Sequence, residues 1–422
     1  MKKYFYKNFY GNIFLLLIFL CSGVSTQVRV KSFKLGVENI SVSWLKKFCS
    51  NKKNEKCVIG LITNQTGVNQ KGERTIDILM QRDDCRLKYI FTPEHGFNGI
   101  SAERDVPDSV DATTSIPIIS LYGHGSGKMI AAEYIHNVDC FIFDIQDSGM
   151  RHYTYISTLL NAMKIIGEHN KPFIVLDRPN PLATVMEGPL VDPSLISFIS
   201  IASIPLRHGM TIGELARYFN KHVLEKPINL QVIKMKNYDR TQGFMGNFLH
   251  QLSPNLQSLQ SCYGYSFLGL LGEVEPFDVG VGTPQAFQCI MLPQAKNISA
   301  DVWTRLQELL DSFGIKSYFY HHKNKKNKKN SKGLRLEFTR IDKIHSFDVL
   351  VAVLQFFKKE EIPFSFSAAF NKAVGTKKVQ EVLAGIIPQE LFFKEISHDL
   401  EQFYKKARSS FLYSPRPLFV LK

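Results

Sequence analysis

Between residues 56 and 180, short apolar runs alternate with stretches whose apolar positions recur every three or four residues. The runs at 57–62, 88–91, 116–121, 140–143 and 173–176 are short and bounded by turn residues, which predicts buried strands. The periodic stretches at 74–81, 128–136 and 156–168 predict helices between them. Strands without an exposed face, separated by helices, belong to a mostly parallel sheet covered on both sides. The expectation is an α/β, Rossmann-like, doubly wound domain. It continues through Thr211, a helix cap with Glu214 three residues on, as in a capping box.

Beyond about Pro254 the pattern changes to Gly- and aromatic-rich loops, a strand at 333–338 and helices at 346–357 and 388–408. A second, smaller α+β domain is expected there, giving domains at 26–255 and 256–422. Two domains also suit the length.

Residues 1–25 read differently. Lys2, Lys3 and Lys7 precede the apolar run 13–20 and a small-residue stretch to Ser25, the order of a cleaved signal peptide. The run is too short to span a bilayer. A periplasmic or secreted protein is expected, with no stable membrane insertion. A lipid anchor at Cys21 would need a small residue before it, where Leu20 stands.

The net charge of +14 suits an anionic substrate, but much of the excess lies in loops such as the lysine-rich run at 323–332, which has no interleaved aromatics. Nucleic acid is not an expected partner. Cysteines 49, 57, 85, 140, 262 and 289 follow the leader without metal-ligand spacing, so no metal and no cofactor is expected. Cys49 and Cys57 are close enough in sequence to pair, whereas Cys140 sits in an apolar run as a core thiol.

Polar groups collect at the strand ends, where open parallel sheets bind ligands. Asn64 follows the first strand, Glu94 and His95 the second, and Tyr122 the third. Asp144, Gln146, Asp147, Arg151 and Tyr153 follow the fourth; Asp177, Arg178 and Asn180 follow the fifth. Carboxylates dominate, and glycoside hydrolysis uses two of them, a proton donor and a base or nucleophile. Glu94, behind an apolar strand and Pro93, is the candidate donor. Asp144, Asp147, Glu187 and Glu273 are candidates for the second. Tyr153 and Tyr155 can stack on a sugar or pack between domains. Arg207 and His208 can bind a carboxylate substituent or tie a loop. The run from Gly123 to Met129 mimics a phosphate loop, but Tyr122 and Met129 break the pattern, and no GxSxG elbow is present.

These clusters resemble the exo-β-N-acetylmuramidase family NamZ. The matching stretches are GLITNQTGV at 60–68, PEHGFNG at 93–99, FDIQDSGMRHYTYISTL at 143–159, LDRPNPL at 176–182, EGPL at 187–190 and PLRHGMTIGELARYFN at 205–220. SPNL at 253–256, FNKAVGT at 370–376 and FLY at 411–413 follow in order. The resemblance implies a cleft between the two domains that releases terminal N-acetylmuramic acid from non-reducing ends of peptidoglycan fragments or muropeptides. It carries over Asn64, Glu94, His95, Asp144, Gln146, Asp147, Arg151, Tyr153, Asp177, Arg178, Asn180, Arg207, His208 and Asn255. One segment departs: Glu273, Gly280, Gly282 and Thr283 are kept, but Val281 stands where an arginine is common. A non-catalytic wall-sugar-binding protein, or a glycosidase for another N-acetylated or acidic sugar, is the alternative.

Overall fold

Seven strands of the first half build one sheet: β1 (Cys57–Thr63), β2 (Cys85–Thr92), β3 (Ser109–Val110), β4 (Pro117–Ser120), β5 (Cys140–Asp144), β6 (Phe173–Leu176) and β7 (Leu230–Ile233). Their order is β7-β6-β5-β1-β2-β4-β3, and all pairs are parallel except the short β3 edge. The computed structural model describes residues 32–419 except 42–44, 46–55, 103, 247–249, 294–297 and 324–329. The expected leader, Cys21 and Cys49 lie outside the described residues. Cys57 is disulfide-bonded; Cys85, Cys140, Cys262 and Cys289 are buried and free.

The inner strands β1, β5 and β6 are buried along their whole length because side chains alternate between two covered faces. Cys140 and Ile142 of β5 point into one core with Ile59, Leu61, Ile174 and Leu176. Phe141 and Phe143 point into the other. Helix α1 (Thr75–Met80) covers the first face. Helices α2 (Ala132–His136), α3 (Tyr155–Glu168) and α4 (Ile212–His222) cover the second. Thr211 caps α4 as its sequence predicts: its hydroxyl accepts from the Glu214 amide while Glu214 accepts from the Thr211 amide.

The chain leaves β1 toward β2 and leaves β5 toward β6, so β1 and β5 are adjacent strands whose connections run in opposite directions. Ligands bind beyond the carboxyl ends of such a pair. Thr63 and Asp144 are the last paired residues there.

The second half begins with α5 (Leu259–Leu271), a helix where Gly and aromatic residues suggest loop. Its glycines answer to packing. A Cβ at Gly264 would stand 1.7 Å from the Phe287 carbonyl oxygen, and one at Gly269 2.7 Å from His152 Nε2. Then come β8 (Cys289–Pro293), α6 (Ala300–Ser312), β9 (Lys316–Lys323), β10 (Asn330–Glu337), α7 (Ser346–Lys359), α8 (Phe370–Val374), α9 (Lys378–Ala384) and α10 (Gln389–Ala407). The strands form an antiparallel sheet in the order β8-β10-β9. Residues 33–422 form one compact unit, and the core on the α3 side of the large sheet runs without interruption into the helices of the second half.

Candidate functional site

A cleft of about 800 Å³ opens between the two halves. The first half contributes Glu94, His95, His152, Tyr153 and Thr154. The second contributes Tyr265 on α5, Glu273 just past its end, and the loop from Glu275 to Val281. Asn255 lies between.

The backbone after β2 turns tightly to present Glu94. His95 and Gly96 both adopt left-handed conformations, with φ of 72° and 76°. For a residue with a Cβ this costs on the order of 1–3 kcal/mol, and such strain persists only where neighbours hold it. Here the Ser101 amide donates to the His95 carbonyl at 3.1 Å, and His95 Nδ1 lies 2.7 Å from the Ser101 carbonyl oxygen. A carbonyl only accepts, so Nδ1 carries the proton and Nε2 is left for a ligand.

Glu94 is half-buried and held. Thr154, the cap of α3, donates its hydroxyl to Glu94 Oε2 at 2.5 Å. Burial, with Glu94 nearby, pushes the Tyr122 phenol up and keeps it protonated. Across the chain, Glu273 Oε2 accepts from the Ser367 hydroxyl at 2.5 Å. Glu275 and Asp278 also line the cleft. Asp278 accepts from the Gly280 amide at 2.9 Å and the Ser331 hydroxyl at 2.8 Å. No lysine or arginine is among the described residues of the lining. Asn255 Oδ1 takes the Gly282 amide at 3.2 Å, tying the cleft floor to the loop that carries the half-exposed Val281.

Of the residues expected from sequence, Glu94, His95, Tyr153, Asn255 and Glu273 are therefore in the cleft. The others are brought together around it, in its supporting frame. Asp144 is fully buried and clamped by Arg178, with Nε–Oδ1 2.5 Å and Nη2–Oδ2 2.8 Å, and accepts a further bond from Thr75. Asp147 accepts from the Gly149 amide at 2.8 Å and pairs with His208 Nε2 at 3.2 Å. Gln146 donates to the carbonyls of Asp147 and Pro179, and Asn180 to that of Met210. Asn64 folds onto its own turn, accepting from the Thr66 amide and hydroxyl. Asp177 takes the Thr211 and Tyr413 hydroxyls and the Gly213 amide at the start of α4, while burial pushes its carboxyl up to about 7.

Two buried arginines join the halves. Arg151 does not meet Asp147. It donates to the carbonyls of Pro189, Ile204, Ala373 and Val374 and to the Ser200 hydroxyl. Arg207 pairs with Glu187 at 3.1 Å and reaches the carbonyls of Ile344 and Ile341, while Glu187 accepts the Ser346 amide at the start of α7. Tyr153 and Tyr155 both donate their hydroxyls to the Leu252 carbonyl at 2.9 Å and are buried, so both serve as packing between the halves.

Sequence reasoning passed over Thr154, His152 and Tyr265. Thr154 looks like an ordinary helix-start residue, and Tyr265 lies on the helix that resembles a loop. His152 packs on Tyr265 with ring centroids 4.5 Å apart, and neither of its buried ring nitrogens has a protein partner. Burial and the nearby Arg151 charge lower its pKa to about 3, so it is neutral.

This geometry has known counterparts. Family models described as exo-beta-N-acetylmuramidase NamZ, N-terminal and C-terminal, match residues 59–260 and 263–413. Peptidoglycan beta-N-acetylmuramidase NamZ of Bacillus subtilis is 34% identical over 368 residues, 84% of this chain and 86% of that one. Two crystal structures of DUF1343 family proteins from Bacteroides fragilis share the fold. One has a TM-score of 0.76 at 29% identity, covering 90% of this chain and 99% of its own. The other has 0.71 at 26%, covering 91% and 99%. With both halves matched in order and a relative aligned over most of its length, the chain belongs to the exo-β-N-acetylmuramidase NamZ family.

Proposed function

We propose that this protein is an exo-acting glycoside hydrolase that releases terminal N-acetylmuramic acid from the non-reducing ends of peptidoglycan fragments, with Glu94 as proton donor. The observation that carries the assignment is the setting of Glu94: a half-buried carboxyl at the end of β2, held by Thr154 in a cleft whose other half supplies Glu273. Among Asp144, Asp147, Glu187 and Glu273, only Glu273 lines that cleft. It is therefore the partner carboxylate, acting as base or nucleophile at the anomeric carbon while Glu94 protonates the leaving oxygen. Ser367 fixes one Glu273 oxygen, as preorganised catalysis requires. Membership of the muramidase family supports the substrate class. Export directed by residues 1–25 would bring the enzyme to its polymer.

The test is p-nitrophenol release from the β-glycoside of N-acetylmuramic acid, beside the N-acetylglucosamine analogue. Release from the muramic substrate alone, abolished in Glu94→Gln and in Glu273→Gln, is expected. A Glu94→Gln variant with wild-type turnover would sink the assignment. A folded protein that binds the sugar and cleaves neither glycoside would instead be a wall-sugar-binding protein.

A further inference from the structure

The cleft wall does not stop at the cleft. In the sheet β8-β10-β9, directly opposed residues project from the same face. The register aligns His322 with Ser331 and Pro293, Tyr320 with Gly333, and Tyr318 with Arg335. Ser331 and Pro293 line the cleft. His322, Tyr320 and Tyr318 follow at two-residue steps, so they continue that wall along the edge strand. The opposite face is closed over β8 and β10, where Ile290, Leu292, Leu334 and Leu336 are at most 2% exposed and belong to the core, while on β9 its Phe319 is exposed.

On β8 this face is covered, with Cys289 and Met291 fully buried, but its side chains along the β9 edge suit a sugar chain. The Tyr320 and His322 rings lie in nearly parallel planes, 10° apart, with centroids 6.3 Å apart. The cross-strand neighbour of Tyr320 is Gly333, which has no side chain to cover the ring. Only glycine fits there, because a Cβ would stand 2.2 Å from the Ile290 carbonyl oxygen. Tyr320 is steered by its hydroxyl toward Gln285 Oε1 at 3.3 Å, on the loop that also carries Val281. Tyr318 is 46% exposed, and the Arg335 guanidinium lies 5.8 Å from its ring centroid. Aromatic faces pack against the C–H faces of sugars while their rims stay wet, and an exposed guanidinium matches a carboxylate.

An enzyme that removes one residue from a chain end leaves the rest of the chain outside the pocket, on the leaving-group side. We propose that Tyr318, Tyr320 and His322, with Arg335, form a platform that holds this remaining glycan. N-acetylated sugars stack on the rings, and lactyl carboxylates of later muramic acid residues meet Arg335. The inference rests on the muramidase reading for the direction of the chain.

The test compares a short and a long substrate in a Tyr318→Ala/Tyr320→Ala double variant and in Arg335→Gln. The p-nitrophenyl glycoside of N-acetylmuramic acid is too short to cover the platform, and kcat/KM for it should stay within about twofold of wild type. For a peptide-free tetrasaccharide of alternating N-acetylmuramic acid and N-acetylglucosamine, KM should rise roughly 3- to 10-fold at constant kcat. Wild-type KM on the tetrasaccharide, or equal losses on both substrates, overturns the platform. Calorimetric titration of the tetrasaccharide into Glu94→Gln, with and without the tyrosine changes, reads the same loss without turnover. If the unmodified protein cleaves neither substrate, the muramidase reading fails, and the titration still decides whether the platform binds glycan.

Discussion

The frame of the site and its chemistry should separate cleanly at Asp144. This residue ends β5 at the switch point of the sheet and is fully buried, with Arg178 bound through both guanidinium edges and Thr75 donating as well. In Asp144→Asn an amide N–H₂ replaces one acceptor oxygen and turns its hydrogens toward Arg178 and Thr75. A buried guanidinium is then left without its counter-charge, a loss of about 3–5 kcal/mol. Unfolding entropy of about 2.1 cal/mol/K per residue, over the compact unit Phe33–Lys422, amounts to about 0.8 kcal/mol/K. The melting temperature should therefore fall by roughly 4–6 °C. The assay pairs a thermal melt with initial rates on the chromogenic muramic glycoside well below the transition. Asp144→Asn should melt early yet keep kcat within about threefold, whereas Glu94→Gln should melt like wild type and lose turnover. An Asp144→Asn variant that melts normally but loses a hundredfold or more in kcat would refute the reasoning and return Asp144 to the chemistry.

Other outcomes follow from the same geometry. His152 is held neutral in the fold, far below the ordinary histidine value of 6.5, but takes up a proton on unfolding. Its contribution to stability is thus present above about pH 6.5 and is lost as pH falls toward 3, by about 1.4 kcal/mol per unit, or about 2 kcal/mol at pH 5. His152→Gln should flatten the acid side of the stability profile measured by denaturant titration; an unchanged slope would contradict the burial argument. Thr211→Ala removes the α4 cap and a donor to Asp177, and should cost about 1–2 kcal/mol in urea unfolding without altering kcat. Val281→Arg places a guanidinium at the rim of a lining that has four carboxylates and no described cation, and should lower KM for the muramic glycoside roughly 2- to 5-fold. A KM that does not fall would show that this position does not meet the substrate's carboxylate.

Much of the frame can be read from the chain because local and global preferences agree there. The apolar runs that become β1, β5 and β6 are buried on both faces, so period and burial say the same thing. Thr211 and Glu214 cap α4 by chemistry confined to four residues. Where tertiary contacts decide, local reading fails. Helix α5 looks like loop because Gly264 and Gly269 are needed for close approach to Phe287 and His152. Strand β7 is a half-buried edge without a sustained apolar run, and β9 mixes aromatic, histidine and lysine side chains with no clear alternation. The strand-end polar clusters were legible as a group but not as individual roles. Asp144, Asp147 and Asp177 have the same type and setting in sequence as a catalytic carboxylate, and only packing shows that Asp144 and Asp177 are consumed by a buried cation, hydroxyls or backbone amides and that Asp147 is buried with one oxygen held by the Gly149 amide and His208.

The two buried arginines make the halves of this protein poor modules. Arg151 and Arg207 belong to the first half, yet several of the carbonyls that satisfy them, those of Ala373, Val374, Ile341 and Ile344, come from the second. A fragment ending near residue 258 would retain both guanidinium groups without these acceptors, facing water where the partner surface had been. Such a protein resists recombination: neither half can be swapped for a distant counterpart unless the arginines and the carbonyl-bearing turns that receive them move together.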